Sequence, residues 1–347
     1  MLIMYLMITF CLLFLPDSAT AQRDKNVDAI INELTINYSN KIETALKKDL
    51  PRYNKMKSEA EEVSKIKDNE GKKKGMDNYA NAHKQHYGNK VKEAGVDLKS
   101  LLINLEKKYP DYLFTITDDY SVLFEKKIPK TTTSGDVGNL QYDITNDFVF
   151  ASNTQSDFSP ATLYHRASIT STTIPLSFTK SKEINCYIAS GGSVEFGTSS
   201  VKTTTTGVVG GECFAYGSLA NSTVLPSARV TSIKLKLNFT IEVNGYAVGV
   251  LGMSFSNCSA GSQAKIYGQN NYIIAEDVFK GVFAPILWVA SFSQSKSFTT
   301  NPDLTAFKGK TLKVSGYANS TAMSAVCCAT SGYGKLTFTS ASLTVTN

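Results

Sequence analysis

The longest unbroken alternation of apolar and polar side chains runs from Thr231 to Phe255, TSIKLKLNFTIEVNGYAVGVLGMSF. Ile233, Leu235, Leu237, Phe239, Ile241 and Val243 alternate with Ser232, Lys234, Lys236, Asn238, Thr240 and Glu242. A period of two predicts a strand with one face buried and the other wet. Asn244-Gly245 follows, and this dipeptide accepts positive φ at both positions. The pattern therefore predicts a two-residue turn and a hairpin in which Val243 faces Tyr246, Ile241 faces Val248 and Phe239 faces Val250.

Upstream the period changes. Val27, Ile31, Leu34, Tyr38, Ile42, Leu46 and Leu50 recur at spacings of three and four, which predicts an amphipathic helix running to Pro51. Tyr53, Met56, Ala60, Val63 and Ile66 continue the stripe. Gly71 and Gly75 bracket Lys72-Lys73-Lys74 and predict an exposed break. A further helix carries Met76, Tyr79, His83, Tyr87, Val91 and Ala94, and another, capped near Asp97, carries Leu98, Leu101, Leu102 and Leu105 before Pro110. YLFTIT and SVLFE then read as a small hairpin. These apolar stripes do not hold a heptad period long enough for a coiled coil.

Downstream of residue 130, short β-branched and aromatic runs are punctuated by Gly and Asn clusters. They fall at 148–152, 162–170, 174–179, 184–189, 193–196, 264–267, 287–292, 312–317, 323–327 and 335–346. One segment, 275–279, reads as a helical spacer. The closing alternation GKLTFTSASLTVTN reads as an edge strand. Strands in such number with so little helix between them predict antiparallel pairing in a β-sandwich or jelly roll. The fold class expected is mainly β, α+β overall, with an N-terminal helical bundle or stalk.

Charge sharpens the division. Residues 23–130 carry 22 Lys/Arg and 18 Asp/Glu, about 37% charged, whereas 131–347 carry 14 and 11, about 12%. The expected organisation is a signal peptide over 1–21, a charged helical region with a terminal hairpin over 22–130, and a Ser/Thr-rich sandwich over 131–347, with KTTTSG at 130–135 as the linker. The signal peptide rests on the apolar run LIMYLMITFCLLFLP followed by Ala19-Thr20-Ala21. No Lys or Arg precedes that run, so an uncleaved anchor is its competitor, although a spanning helix needs about 20 apolar residues. An exported chain, extracellular or periplasmic, is expected. Of the cysteines beyond the leader, Cys186, Cys213, Cys258, Cys327 and Cys328, an odd number, at least one must stay unpaired within the chain.

The chain offers little catalytic chemistry. Net charge of +6 without a concentrated basic aromatic face argues against nucleic acid. His83 and His86 lie three apart on a helix with Asp77 and Glu93 nearby, but His83 falls on the apolar stripe, so packing is expected rather than a metal site. His165 lacks a nucleophile elbow to serve, since GMSFSNCSAG is not G-x-S-x-G. Glycoside hydrolysis needs two acids about 5 to 10 Å apart; the β unit has only 11 acids, with Glu195, Glu212, Glu242 and Glu276 the Glu candidates, and Glu242 is expected as a solvated charge on the outer face of its strand. Trp288, in ILWVA, is expected in the core. Tyr267, Tyr272 and Tyr333 stand beside Gly or Asn and are the candidate ligand-binding residues. No cofactor or metal is expected.

The resulting expectation is an exported non-catalytic protein presenting a glycan-binding or protein-binding surface on a helical N-terminal region. A pore-forming protein, with membrane contact, is the alternative; Thr162–Thr179 suits it better than the Thr231–Phe255 hairpin, whose Ala247, Gly249, Leu251 and Met253 would line a water-filled lumen poorly. A secreted hydrolase ranks below both.

Overall fold

The computed structural model describes residues 25–117, 120–127, 171–227, 229–269, 272–325 and 328–347. The signal segment, the 130–135 boundary, the expected strands over 148–152 and 162–170, His165 and Cys327 lie outside the described residues.

The first apolar stripe forms α1 (Lys25–Leu34), a π-helical turn (Thr35–Ser39) and α2 (Asn40–Leu46), and it is buried from Val27 to Leu46. Three successive four-residue steps, from Leu34 to Leu46, each overshoot an α-helical turn by roughly 40°. A wider π turn absorbs that drift and keeps the stripe on one side. Pro51 does not end this helix as expected. Asp49 accepts from the Arg52 amide and opens α3 (Leu50–Lys65), with the proline in the first turn where its missing N–H costs nothing.

The break expected at Gly71–Gly75 is also absent. Asp68 caps α4 (Asn69–Glu93) by accepting from the Gly71 amide, and the helix runs through all three lysines. Lys72 is buried, with Nζ donating to the Tyr246 hydroxyl at 2.8 Å. Gly75 is a packing glycine: a Cβ there would stand 2.7 Å from Ile66 Cδ1. Asp97 caps α5 (Leu98–Lys108) through the Ser100 amide at 3.1 Å.

Thirteen strands are described, in two antiparallel sheets. β1 (Tyr112–Ile116) and β2 (Val122–Lys126) form the expected hairpin, followed by β3 (Ser171–Pro175), β4 (Thr179–Tyr187), β5 (Ser190–Phe196), β6 (Ser200–Val208) and β7 (Glu212–Val224). Then come β8 (Ser232–Gly249), β9 (Ser254–Ile266), β10 (Tyr272–Ala284), β11 (Trp288–Thr300), β12 (Thr311–Ser324) and β13 (Ala329–Thr346). The first sheet has the order β1-β2-β10-β9-β12-β7-β4; the second has β11-β8-β13-β6-β5, with β3 also pairing β13.

The predicted hairpin at Asn244-Gly245 does not form. β8 continues straight through both residues, with Gly245 opposite Phe292 of β11 and Gly332 of β13. Neighbours on both sides hold the strand extended, and the glycine serves a close approach: a Cβ would lie 2.4 Å from Ser256 Oγ and 2.8 Å from the Phe292 ring. The alternation itself is realised, with Ile233 to Val243 buried at every second position. Two further expectations are corrected. The 275–279 segment is part of β10 rather than a helix, and β13 is an interior strand between β8 and β6 rather than an edge.

Two apolar cores result. One lies between the sheets, where Leu235, Phe239 and Ile241 meet Ala260, Val282 and Val314. The other joins the helices to one end of the sandwich, with Tyr38, Tyr79, Tyr87 and Leu105 packed in one cluster with Val248, Phe255, Phe283 and Trp288. The β1-β2 hairpin extends the first sheet, since β2 pairs β10 with Phe124 opposite Gly281. A Cβ at Gly281 would meet the Phe124 ring at 2.6 Å, so the glycine admits the aromatic side chain.

Candidate functional site

The geometry of β13 creates a concavity among the described residues. Along one edge it pairs first with β6, up to Thr337 opposite Ser200, and then with β3, from Ser342 opposite Pro175. Between those partners the strand bulges at Phe338–Ser340. Its main chain there is held by bonds to two loops, Phe338 N to Ser199 O at 2.9 Å and Leu176 N to Ala341 O at 2.8 Å. A bulge re-aims side chains and interrupts pairing, and here it leaves a groove of about 550 Å³ between the β3–β4 and β5–β6 connections.

Aromatic rings and hydroxyls line this groove. Phe178 stacks on Phe338 at 4.8 Å between centroids, with the planes 6° apart. Ser177, Thr198, Ser199 and Thr339 supply hydroxyls, and Lys180 the cation. The Ser340 hydroxyl, also in the lining, is buried with no protein partner. The groove thus pairs an aromatic surface with a few polar groups, the usual make-up of a small-molecule cleft. Sequence reasoning missed it. Its one visible signal was the odd step in the alternation at Thr337–Ala341, where a bulge shifts the period.

The three candidate tyrosines separate into two places. Tyr267 follows β9 and Tyr272 opens β10, so both stand at one turn of the first sheet. Tyr267 is 77% exposed. Tyr272 is half-buried beneath Lys265, whose Nζ lies 5.7 Å from the ring centroid, and burial raises its hydroxyl pKa. Lys313 lies directly across from Lys265, and like charges so placed repel. Tyr333 is elsewhere. It sits in β13 of the second sheet, where its amide donates to Cys258 Sγ at 3.1 Å. Tyr267, just past the end of β9, is nine residues beyond Cys258, about 30 Å at strand spacing.

The Tyr333 hydroxyl donates to Glu242 Oε2 at 3.4 Å, and Lys335 binds the other carboxylate oxygen at 3.2 Å. Burial, and then the Glu242 charge, push that phenol up to about 12. Glu242 is therefore cross-linked on its face rather than simply solvated. His83 is buried in the helical region, in contact with Glu59 and 3.3 Å from Arg52 Nη2 through Nδ1. Burial and the Arg52 charge lower the pKa of neighbouring His86. Among the described residues, no group of three or more His, Cys, Asp or Glu is arranged to hold a metal, and no helix is long and apolar enough to cross a membrane. Cys186 and Cys213 form a disulfide joining β4 to β7, and Cys258 and Cys328 are buried thiols. Trp288 is in the core as expected.

Among solved structures, the chain is weakly similar to a carbohydrate-binding module in complex with β-1,4-galactotriose. The two are 9% identical over 46% of this chain and 88% of that one, with a TM-score of 0.15. The family 11 carbohydrate-binding module of the cellulosomal cellulase Lic26A-Cel5E of Clostridium thermocellum is 10% identical over 50% and 96%, with a TM-score of 0.14. Likeness at these scores carries no argument about ligand or activity. No family model and no curated protein matches the sequence.

Proposed function

We propose that the protein is an exported, non-catalytic glycan-binding protein whose saccharide lies in the groove at the β13 bulge. The observation carrying this reading is the stack of Phe178 on Phe338 inside a hydroxyl-lined cleft, with the Ser340 hydroxyl left unpartnered. Apolar ring faces take the C–H face of a sugar, and hydroxyls and an ammonium take its oxygens. The groove is favoured over the Tyr267–Tyr272 turn because concavity removes a ligand from water on several sides. The disulfide supports export, since such bonds persist in oxidising compartments.

The test is retention of the full chain on an oligosaccharide array, followed by calorimetry on any saccharide retained. Thr198→Trp, an exposed position on the groove wall, should fill the cleft and abolish binding without changing the melting temperature. Phe178→Ala should weaken binding at least tenfold, and Tyr267→Ala should leave it unchanged. An array that retains nothing, or a Thr198→Trp variant that binds normally, would overturn the reading.

A further inference from the structure

At the end of the sandwich away from the Tyr267 turn, the β4–β5 and β6–β7 connections lie side by side, joined by a hydrogen bond from Val208 N to Ala189 O at 2.9 Å. They expose four large apolar side chains: Tyr187, Ile188, Val208 and Val209. Ile188 is 71% exposed and Val209 53%. Residues 184–194 and 203–211 contain no Asp, Glu, Lys or Arg. Directly beneath, the Cys186–Cys213 disulfide ties β4 to β7.

The backbone makes this patch unusual. Ile188 has φ of +56° and Val209 of +50°, and they are the only β-branched residues among the described non-glycine residues with positive φ. Val209 and Gly210 (φ +75°) form a tight turn closed by Gly211 N donating to Val208 O at 3.1 Å. Both central residues are left-handed, a geometry that suits Asn, Asp or Gly and strains a β-branched side chain. Two β-branched side chains that stand more than half exposed are thus held in the conformation they tolerate least. A turn serving only to reverse the chain would have no need of them, and strain of this kind is a pointer to function.

The polar groups decide what the patch meets. The amides of Ser190, Val208, Val209, Gly210 and Gly211 all donate to main-chain carbonyls, of Ile188, Ala189, Cys328, Ala325 and Val208 respectively. The Ser190 hydroxyl donates to the Tyr187 and Glu212 carbonyls. Amides paired within the chain along the 208–211 turn, under apolar side chains bordered by one carboxylate, Glu212 opposite Tyr187, suit entry into the lipid interface, because hydrocarbon offers no hydrogen-bond partners. A protein interface would instead combine an apolar centre with a polar rim whose groups bond across the contact. We propose that this double-loop tip, led by Ile188 and Val209, inserts into the interface of a lipid bilayer, and that it does so through burial of apolar area without help from charge. The partner is a zwitterionic membrane surface, and the binding is independent of salt. This surface is separate from the glycan groove.

The experiment is flotation of the full chain with phosphatidylcholine vesicles at 50 mM and 500 mM salt, beside thermal melts and sedimentation. The wild type should float equally at both salt concentrations. Ile188→Asp or Val209→Asp should reduce the bound fraction about tenfold or more, in line with the transfer energy of one branched side chain. Ile188→Gly and Val209→Gly separate function from folding. Each relieves a strained φ, so each should raise the melting temperature while lowering vesicle binding, whereas a merely structural role would move both together. Failure of the wild type to float, binding abolished at 500 mM salt, or glycine variants that float normally would overturn the proposal. So would a wild type that self-associates through the tip in place of binding vesicles.

Discussion

The indole of Trp288 and the ring of Tyr87 lie 4.2 Å apart between centroids, and the Tyr87 hydroxyl donates to the Ile286 carbonyl at 2.9 Å. One ring belongs to the charged helical region and the other to the start of β11, so the two compositional halves meet in a single packed cluster. Tyr79 adds a second bond of the same kind, to the Leu287 carbonyl at 2.8 Å. Ser39 adds a third by accepting from the Ile286 amide at 3.0 Å.

This contact predicts how the chain comes apart. A protease site engineered into 130–135 should yield two pieces that co-elute on gel filtration and separate only in denaturant. Tyr87→Ala should cost about 3–5 kcal/mol, the range for losing a fully buried aromatic ring. The lone tryptophan should report that loss as an earlier red shift in its emission. Pieces that separate in buffer, each folded, would instead give the two halves independent cores.

Within β8 the two faces should respond differently. Phe239, packed between Phe298 at 5.0 Å and Phe338 at 5.8 Å, and the fully buried Ile241 should each cost about 2–5 kcal/mol when changed to Ala. Lys236→Ala and Thr240→Ala, on the opposite face, should stay within roughly 0.5 kcal/mol. Denaturant midpoints of the four variants test the assignment, and similar losses on both faces would refute it.

Gly245→Ala separates a turn from a packed strand. In a hairpin turn the change would be felt through the backbone. In a continuous strand it forces a methyl against Ser256 Oγ and the Phe292 ring, which should cost about 1–3 kcal/mol by overpacking. Pairing Gly245→Ala with Phe292→Leu, which frees space, should recover part of that loss; no recovery would argue against the clash.

One carboxyl should give the fold a distinct pH signature. Burial raises the Asp277 pKa, and the hydrogen bond from the Tyr317 hydroxyl at 3.2 Å only partly offsets it. With the folded value above the unfolded one, the native state binds the proton more tightly. Its contribution to stability is therefore greatest below the ordinary aspartate value and is lost as pH rises through the raised folded value. Relative to Asp277→Asn, the wild type should gain stability between about pH 7 and pH 3. A constant difference across that range would show that Asp277 titrates normally.

Much of this architecture was legible because burial imposes a period. The stripe from Val27 to Leu46 and the alternation from Ile233 to Val243 identified both cores, and Trp288 fell inside as its apolar neighbours required. What failed were the readings that rested on single punctuating residues. Gly245, Gly71 and Gly75 look like breaks in sequence, yet each is there because another side chain occupies the space of its Cβ. Pro51 opens a helix rather than closing one. The groove was invisible for a related reason, since it depends on β13 changing partner from β6 to β3, a long-range event that no local pattern encodes. Tyr267, Tyr272 and Tyr333 share neighbours of the same type, Gly or Asn, but neighbours in sequence do not say which sheet a residue joins.

The place of β13 bears on the order in which the molecule can assemble. It follows every other strand of its sheet along the chain, yet it pairs β8 on one side, with Ile233 opposite Val345, and β6 and β3 on the other. During synthesis β8 and β6 must therefore wait, with their inward edges unpaired, for a segment about a hundred residues further on. Contacts so distant in sequence slow folding, and open strand edges invite pairing with other chains. The helices that precede them are rich in local contacts and can form early. A nascent chain of this protein should thus pass through a stage with an ordered front and an unclosed sandwich, and it is at that stage that chaperones or crowding would decide its yield.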